Sequence, residues 1–321
     1  MLTAPEDLAR YDTWVKGHVG GSLWQSLEWK AFQEALGREV RIYAVEEGGK
    51  IVSSAIVVID RTSFGLSAWD IPHGPLWHDG ETARAFLASI VDRARGERAM
   101  TVRCSPSEPL LSPSLQWHPA GRLVYAQVTR MIDLALSEED ILAQMREKGR
   151  YNIRVAERNG IVVEQSRDTA VFHRLLRQTG ARDAFRIHPE HHYRLFVEKL
   201  PGSFLLIARD NEKKPIAGLL GVIWKETGIY YYGAFSYEQR ALMAPYLLQW
   251  EAMKLCKSRG CASYDLLGIA PSDASPDHPW TGISDFKRKF GGSIITCPPE
   301  QQIILRPMAH RLLQLKRAAL G

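Results

Sequence analysis

Cysteine is scarce. Cys104, Cys256, Cys261 and Cys297 are the four in 321 residues, none in CxxC spacing and none beside a partnering histidine cluster. That pattern argues against a zinc site and against a disulfide framework. His188, His191 and His192 are grouped, but HxxHH in a polar loop lacks HExxH geometry, so no metal is expected. Long apolar runs are missing too: the longest, residues 216–224, is far too short to span a bilayer. Residues 1–7 have no basic segment leading into an apolar one, so they do not read as a signal peptide. A cytoplasmic protein without stable membrane insertion is therefore expected, at most peripheral at the inner face of the membrane. GxSxG, Walker, GxGxxG and kinase signatures are absent as well, which removes the usual motifs of hydrolysis and phosphoryl transfer.

What the chain does have is size and a modest positive charge. At 321 residues it has room for two domains of roughly 150 residues each. Its 45% apolar and 24% charged residues are those of a globular protein. A net charge of +5 and a pI near 9.0 favour a polyanionic partner, either nucleic acid or a nucleotide-linked substrate. The first half reads as a helix over 23–36, strands over 40–46, 51–60 and 66–69, a loop over 70–76, a helix over 81–95 and a strand over 100–104. Residues 105–119 read as irregular and 122–134 as one long strand.

Ser137 then caps a helix expected to run without interruption to Asn159-Gly160. Along it Arg146, Arg150, Arg154 and Arg158 recur every fourth residue. Each such step drifts by only about 40°, so the four form one oblique basic band, either a solvated face or a phosphate-binding one. A strand over 161–165, helices over 169–179 and 188–200, and paired strands over 204–209 and 215–224 follow. A final helix over 308–320 carries Leu312, Leu313 and Leu315 with Arg311, Lys316 and Arg317, and is expected to dock by one face.

The rest of the chain is organised around residues 229–268. An aromatic strand, Ile229 to Phe235, leads through a loop holding Arg240 to Pro245, a residue suited to a helix start. A helix over 246–258, covered on most sides, returns to a second strand over 262–268. Such a unit offers free N–H groups and a positive dipole end to an anionic ligand. Later, Phe286 and Phe290 alternate with Lys287 and Lys289 ahead of Gly291-Gly292. A lysine there can stabilise an oxyanion, as an acyltransferase of direct-attack type requires, and paired glycines allow a tight turn or a close approach.

Arg150-Tyr151-Asn152-Ile153-Arg154-Val155-Ala156-Glu157-Arg158-Asn159-Gly160 resembles the RYNIRxAxxxG signature of the Fem (FemABX) family of peptidoglycan bridge-forming aminoacyltransferases. Tyr232-Gly233-Ala234, the segment Met243 to Trp250, Tyr264-Asp265-Leu266-Leu267-Gly268-Ile269 and the segment Gly282 to Gly292 agree in the same order. Gln25-Ser26-Leu27-Glu28-Trp29 is similar to the family's QSxxW, so the resemblance covers nearly the whole chain. It implies an α/β fold with mixed sheets: two tandem GNAT-like domains over 1–136 and 137–302, the C-terminal helix 303–321 returning to the first. It also implies transfer of an amino acid from aminoacyl-tRNA, a co-substrate with no further cofactor, to a side-chain amine of a UDP-linked or lipid-linked muropeptide. Carried over residue by residue, Lys287 stabilises the tetrahedral intermediate and the leaving oxygen. Phe286 lines the site, Tyr231 or Tyr232 contacts the acceptor, and Arg146, Arg150, Arg154 and Arg158 meet phosphates of the RNA or a pyrophosphate.

Departures mark the acceptor side. The family's YxPRGP loop appears as Asp70-Ile71-Pro72-His73-Gly74-Pro75, and the arginine and first tyrosine of a later segment appear as His188 and His192, leaving Tyr193. Histidine carries only fractional charge at neutral pH, so diphosphate binding is expected to be weaker or pH-sensitive. The coiled-coil arm of some members has no room here. Two other readings stay open: an N-acyltransferase of the same scaffold with acyl-CoA or another acceptor, as in exopolysaccharide assembly, and a non-catalytic RNA-binding module. Bulky Arg240-Ala241-Leu242-Met243-Ala244-Pro245 in place of the GNAT loop RxxGxG argues against the first, and retention of Phe286-Lys287 against the second.

Overall fold

The computed structural model describes every residue except 62–64, 108, 110–114, 121–123, 184–185 and 321, and no side chain at 182–183 or 316–320. Two compact units result: Met1–Gln127 with Cys297–Gly321, and Val128–Thr296.

The first unit opens with a helix that the sequence reading passed over, α1 (Pro5–Gly17), which buries Tyr11 and Val15. After a short turn at Leu23–Gln25, Ser26 caps α2 (Leu27–Ala35) by accepting from the Trp29 amide at 3.1 Å. β1 (Glu39–Glu47) and β2 (Lys50–Arg61) form a hairpin whose turn places Gly48 and Gly49 at φ 55° and 77°. β3 (Ser67–Ile71) and β4 (Leu76–Trp77) both pair with β2. Asp79 then caps α3 (Gly80–Gly96), whose Phe86, Leu87, Ile90, Val91 and Ala94 recur at helical spacing and are all buried. The helix crosses to β5 (Ala99–Cys104), parallel to β3, and the short β6 (His118–Pro119) follows.

The second unit begins at β7 (Val128–Asp133). The expected long strand over 122–134 is shorter than read, and 121–123 lie outside the described residues. β7 pairs with strands of the second unit, so the division falls after Gln127 instead of at 136. The expected single basic helix is two: α4 (Glu138–Gln144) and α5 (Glu147–Arg158). Met145 and Arg146 between them are extended, at ψ 147° and 148°. The cause is tertiary: the Arg146 amide donates to the Lys289 carbonyl at 3.1 Å, and Gly149 packs where a Cβ would meet that same oxygen at 2.4 Å.

β8 (Val162–Ser166), α6 (Thr169–Asp183) and α7 (Glu190–Lys199) follow, then β9 (Ser203–Arg209), β10 (Pro215–Trp224) and β11 (Thr227–Phe235). α8 (Ala244–Ser258) buries Tyr246, Trp250 and Met253 in the core and returns to β12 (Ser263–Gly268), which is parallel to β11 as the sequence implied. α9 (Thr281–Lys287) and β13 (Ser293–Thr296) complete this unit. β14 (Gln301–Ile304) and α10 (Pro307–Leu320) belong to the first unit again. Among the described residues the sheets run β1-β2-β3-β5-β14-β6, with β4 on β2, and β13-β7-β12-β11-β10-β9-β8.

Candidate functional site

Lys287 ends α9 with its side chain turned inward and only 6% exposed. Its Nζ donates to the Gly268 carbonyl at 2.7 Å and lies 5.5 Å from the centre of the Tyr230 ring. Gly268 is available because β12 is irregular against β7 between Asp265 and Gly268, with Leu267 at φ 53°. Asp265 holds that irregularity: its Oδ1 accepts from the Leu267 amide at 2.7 Å and from the Thr129 hydroxyl. Desolvation lowers the ammonium pKa to about 8, opposed by the charge of Asp265. Desolvation also raises the pKa of Asp265 itself. Lys287 is thus a cation taken out of water and kept mostly protonated at neutral pH.

Beneath it the half-buried Tyr230 joins the buried Gln249 and Tyr264 in one polar group. The Tyr264 hydroxyl donates to Gln249 Oε1 at 2.9 Å, and the Tyr230 hydroxyl, raised to about 12 by desolvation, also bonds Gln249. Gly233 makes room for the Tyr230 ring, since a Cβ there would stand 1.9 Å from the hydroxyl. The loop after α9 is fixed equally closely. Arg130 Nη1 donates to the carbonyls of Gly291 and Gly292 at 2.6 and 3.0 Å, and both glycines have positive φ, 78° and 73°. Phe286, half-buried, packs against Tyr246 and Phe290 at 5.1 Å each. Lys289, half-buried, donates to the Tyr246 hydroxyl at 2.8 Å.

Tyr231 and Tyr232 belong to a second group. A register shift between Leu220 and Gly221 opposite them lets Tyr230 and Tyr232 meet different partners, although plain alternation would give them one face. Tyr232 bonds His192 Nε2 at 2.9 Å, and His192 stacks on the exposed His188 at 3.9 Å. Tyr231 packs on Phe196 at 5.0 Å and on Tyr232 at 4.9 Å. Tyr193, only 1% exposed, is an anchor of the loop: its hydroxyl accepts from the His188 amide at 3.1 Å. Among the described residues no cluster of three His, Cys, Asp or Glu side chains could hold a metal.

The remaining expected residues have partners of their own. Arg240 is exposed over the Tyr237 ring at 4.2 Å, bonded to the Tyr237 carbonyl. Arg150 spends its guanidinium on the carbonyls of Leu142, Ala143 and Met145, closing the end of α4. Arg146 stands at the break between the helices. Arg154 and Arg158 remain exposed on α5, with Arg158 5.9 Å from the half-exposed Tyr151 ring. In the first unit Asp70 pairs with Arg103 Nε at 3.0 Å. His73 stacks on Trp24 at 3.9 Å with the Tyr125 ring edge-on at 5.3 Å. Desolvation lowers His73 to about 4, so it is neutral and adds no pH sensitivity near neutrality. Gln25 threads this loop, accepting from the Ile56 amide at 2.8 Å and donating to the Pro72 carbonyl at 2.5 Å.

Sequence reasoning did not single out Asp265, Thr129, Arg130, Gln249 or Arg103 as site residues. A charge inside an otherwise apolar strand, as at Asp265, is the signal that could have found the first of them.

The model of the FemAB family matches residues 7–116, 120–209 and 202–317. The lipid II:glycine glycyltransferase of Staphylococcus epidermidis is 20% identical over 96% of this chain and 94% of its own. That of Staphylococcus aureus is 20% identical over 95% and 93%. Among solved structures, the crystal structure of FemX superposes with a TM-score of 0.81 at 18% identity, covering 97% of this chain and 98% of that one. A tandem GNAT protein from the clavulanic acid biosynthesis pathway gives 0.55 at 12% identity, over 93% of each chain. The fold is therefore that of tandem GNAT-like domains, and the chain, matched along nearly its whole length, belongs to the FemAB family and is an acyltransferase.

Proposed function

We propose that this protein moves an amino acid from aminoacyl-tRNA to the side-chain amine of a peptidoglycan precursor peptide carried on UDP or on a lipid. The carrying observation is Lys287, a desolvated ammonium on the Gly268 carbonyl. The relatives named lipid II:glycine glycyltransferase support the muropeptide acceptor. In the reaction the amine nitrogen forms a bond to the acyl carbon, and the bond from that carbon to the ribose oxygen breaks. The proton lost by the nitrogen ends on the ribose oxygen. An ammonium in a dry site stabilises the negative charge gathering on both oxygens. With a pKa of about 8 it can also relay that proton, giving its own to the leaving oxygen and taking up the one the nitrogen loses. No cofactor is called for beyond the charged RNA. The exposed face of α5, with Arg154, Arg158 and Tyr151, is suited to RNA phosphates and bases.

Charged tRNA, a muropeptide and the full-length protein should yield an elongated peptide. Lys287→Ala should slow transfer by about 10²- to 10³-fold with tRNA binding retained. Turnover with acyl-CoA and none with charged tRNA would replace the donor, and RNA binding without transfer to any acceptor would remove the reading altogether.

A further inference from the structure

α10 was expected to dock by one face, and Ala309 and Leu313 are half-buried. A second apolar stripe stands in solvent: Met308 is 84% exposed, Leu312 67% and Leu315 60%. At about 100° per residue these three fall within an arc of roughly 60°, with the positions of Arg311 and Lys316 on its two borders. No acidic residue follows Glu300, whereas Arg306, Arg311, Lys316 and Arg317 do. An apolar stripe between cations is the form of a helix that lies in a bilayer surface, its basic side chains reaching headgroup phosphates. Among the described residues no helix is long and apolar enough to cross a membrane, so lying on it is the available mode. A second copy of the chain on the same stripe would set like-charged borders against each other.

We propose that α10 docks the protein on the surface of an anionic lipid bilayer, with Met308, Leu312 and Leu315 entering the headgroup boundary and Arg306 and Arg311 meeting lipid phosphates. This goes beyond the transfer reading and holds whichever carrier the acceptor has. The test is sedimentation of the full-length protein with vesicles of phosphatidylcholine alone or with about 30% phosphatidylglycerol. Binding is expected to the anionic vesicles and to weaken with salt. Leu312→Glu with Leu315→Glu should cut it by at least about tenfold, and Arg311→Glu by about fivefold, with circular dichroism unchanged because all three side chains are exposed. Transfer to a soluble, UDP-linked acceptor by these variants, measured in parallel, should not change, which separates this proposal from the enzymatic one. Absence of wild-type binding to anionic vesicles, or equal binding by both variants, would overturn it. So would a dimer in solution that the leucine substitutions split.

Discussion

Lys287 in the second unit and His73 in the first are both drawn out of water, with opposite electrical results. Lys287 meets a carbonyl at 2.7 Å, the face of Tyr230 and the charge of Asp265, and it stays basic up to about pH 8. His73 meets the flat face of Trp24 at 3.9 Å and the edge of Tyr125, and desolvation leaves it neutral above about pH 4. Desolvation lowers both, the lysine from 10.5 to about 8 and the histidine from 6.5 to about 4, so at neutral pH only the lysine keeps its charge. One place is therefore fit to act on developing charge, and the other to shape a surface.

That contrast can be tested hardest through stability. Between about pH 8 and 10.5 the unfolded chain holds a proton on Lys287 that the folded chain has released. Wild type should therefore gain up to about 3 kcal/mol relative to Lys287→Met as pH rises through that window, and lose it again as pH falls. Urea unfolding of the two proteins at several pH values measures this, and parallel curves would mean the lysine is not desolvated.

A smaller effect probes the counter-charge. Asp265→Asn keeps an acceptor for Thr129 and Leu267 but removes what holds the lysine pKa up. The alkaline limb of the transfer profile should move to lower pH, with roughly a tenfold loss at pH 8. An unmoved limb would detach Asp265 from Lys287.

The smallest change is expected at His73. His73→Gln should alter stability by under about 1 kcal/mol and leave the transfer profile between about pH 5.5 and 7.5 as it was, because the imidazole is already neutral there. An inflection near 6.5 that vanished in this variant would show that His73 titrates normally and would erase the contrast between the two units.

Much of the fold was legible because its signals are local. The α3 spacing of Phe86, Leu87, Ile90 and Val91, the Gly48-Gly49 turn, and the aromatic strand before Pro245 each announce an element by its own period or backbone need. α1 was equally legible from Pro5, Leu8, Tyr11 and Val15 at helical spacing, though charged and polar residues fill most of its other positions. The break between α4 and α5 was not legible. Nothing between Ser137 and Gly160 forbids a continuous helix, and what parts it is the Lys289 carbonyl on the Arg146 amide. The four arginines do not form one continuous band for the same reason: Arg146 stands at the break and Arg150 turns back onto the end of α4.

By itself the sequence determined most of the helices and strands, the paired glycines after Phe290, and the presence of a lysine beside Phe286 near them. Periodicity, propensity and the steric freedom of glycine act over a few residues, so they can be read from a few residues. Only the tertiary structure decided that this lysine is the desolvated one, that Phe286 packs against the core, and that Leu312 and Leu315 of α10 are left in solvent. Burial and charge depend on what comes near in space, and Thr129, Tyr230, Asp265 and Gly268 reach the surroundings of Lys287 from three strands that the chain enters far apart in sequence.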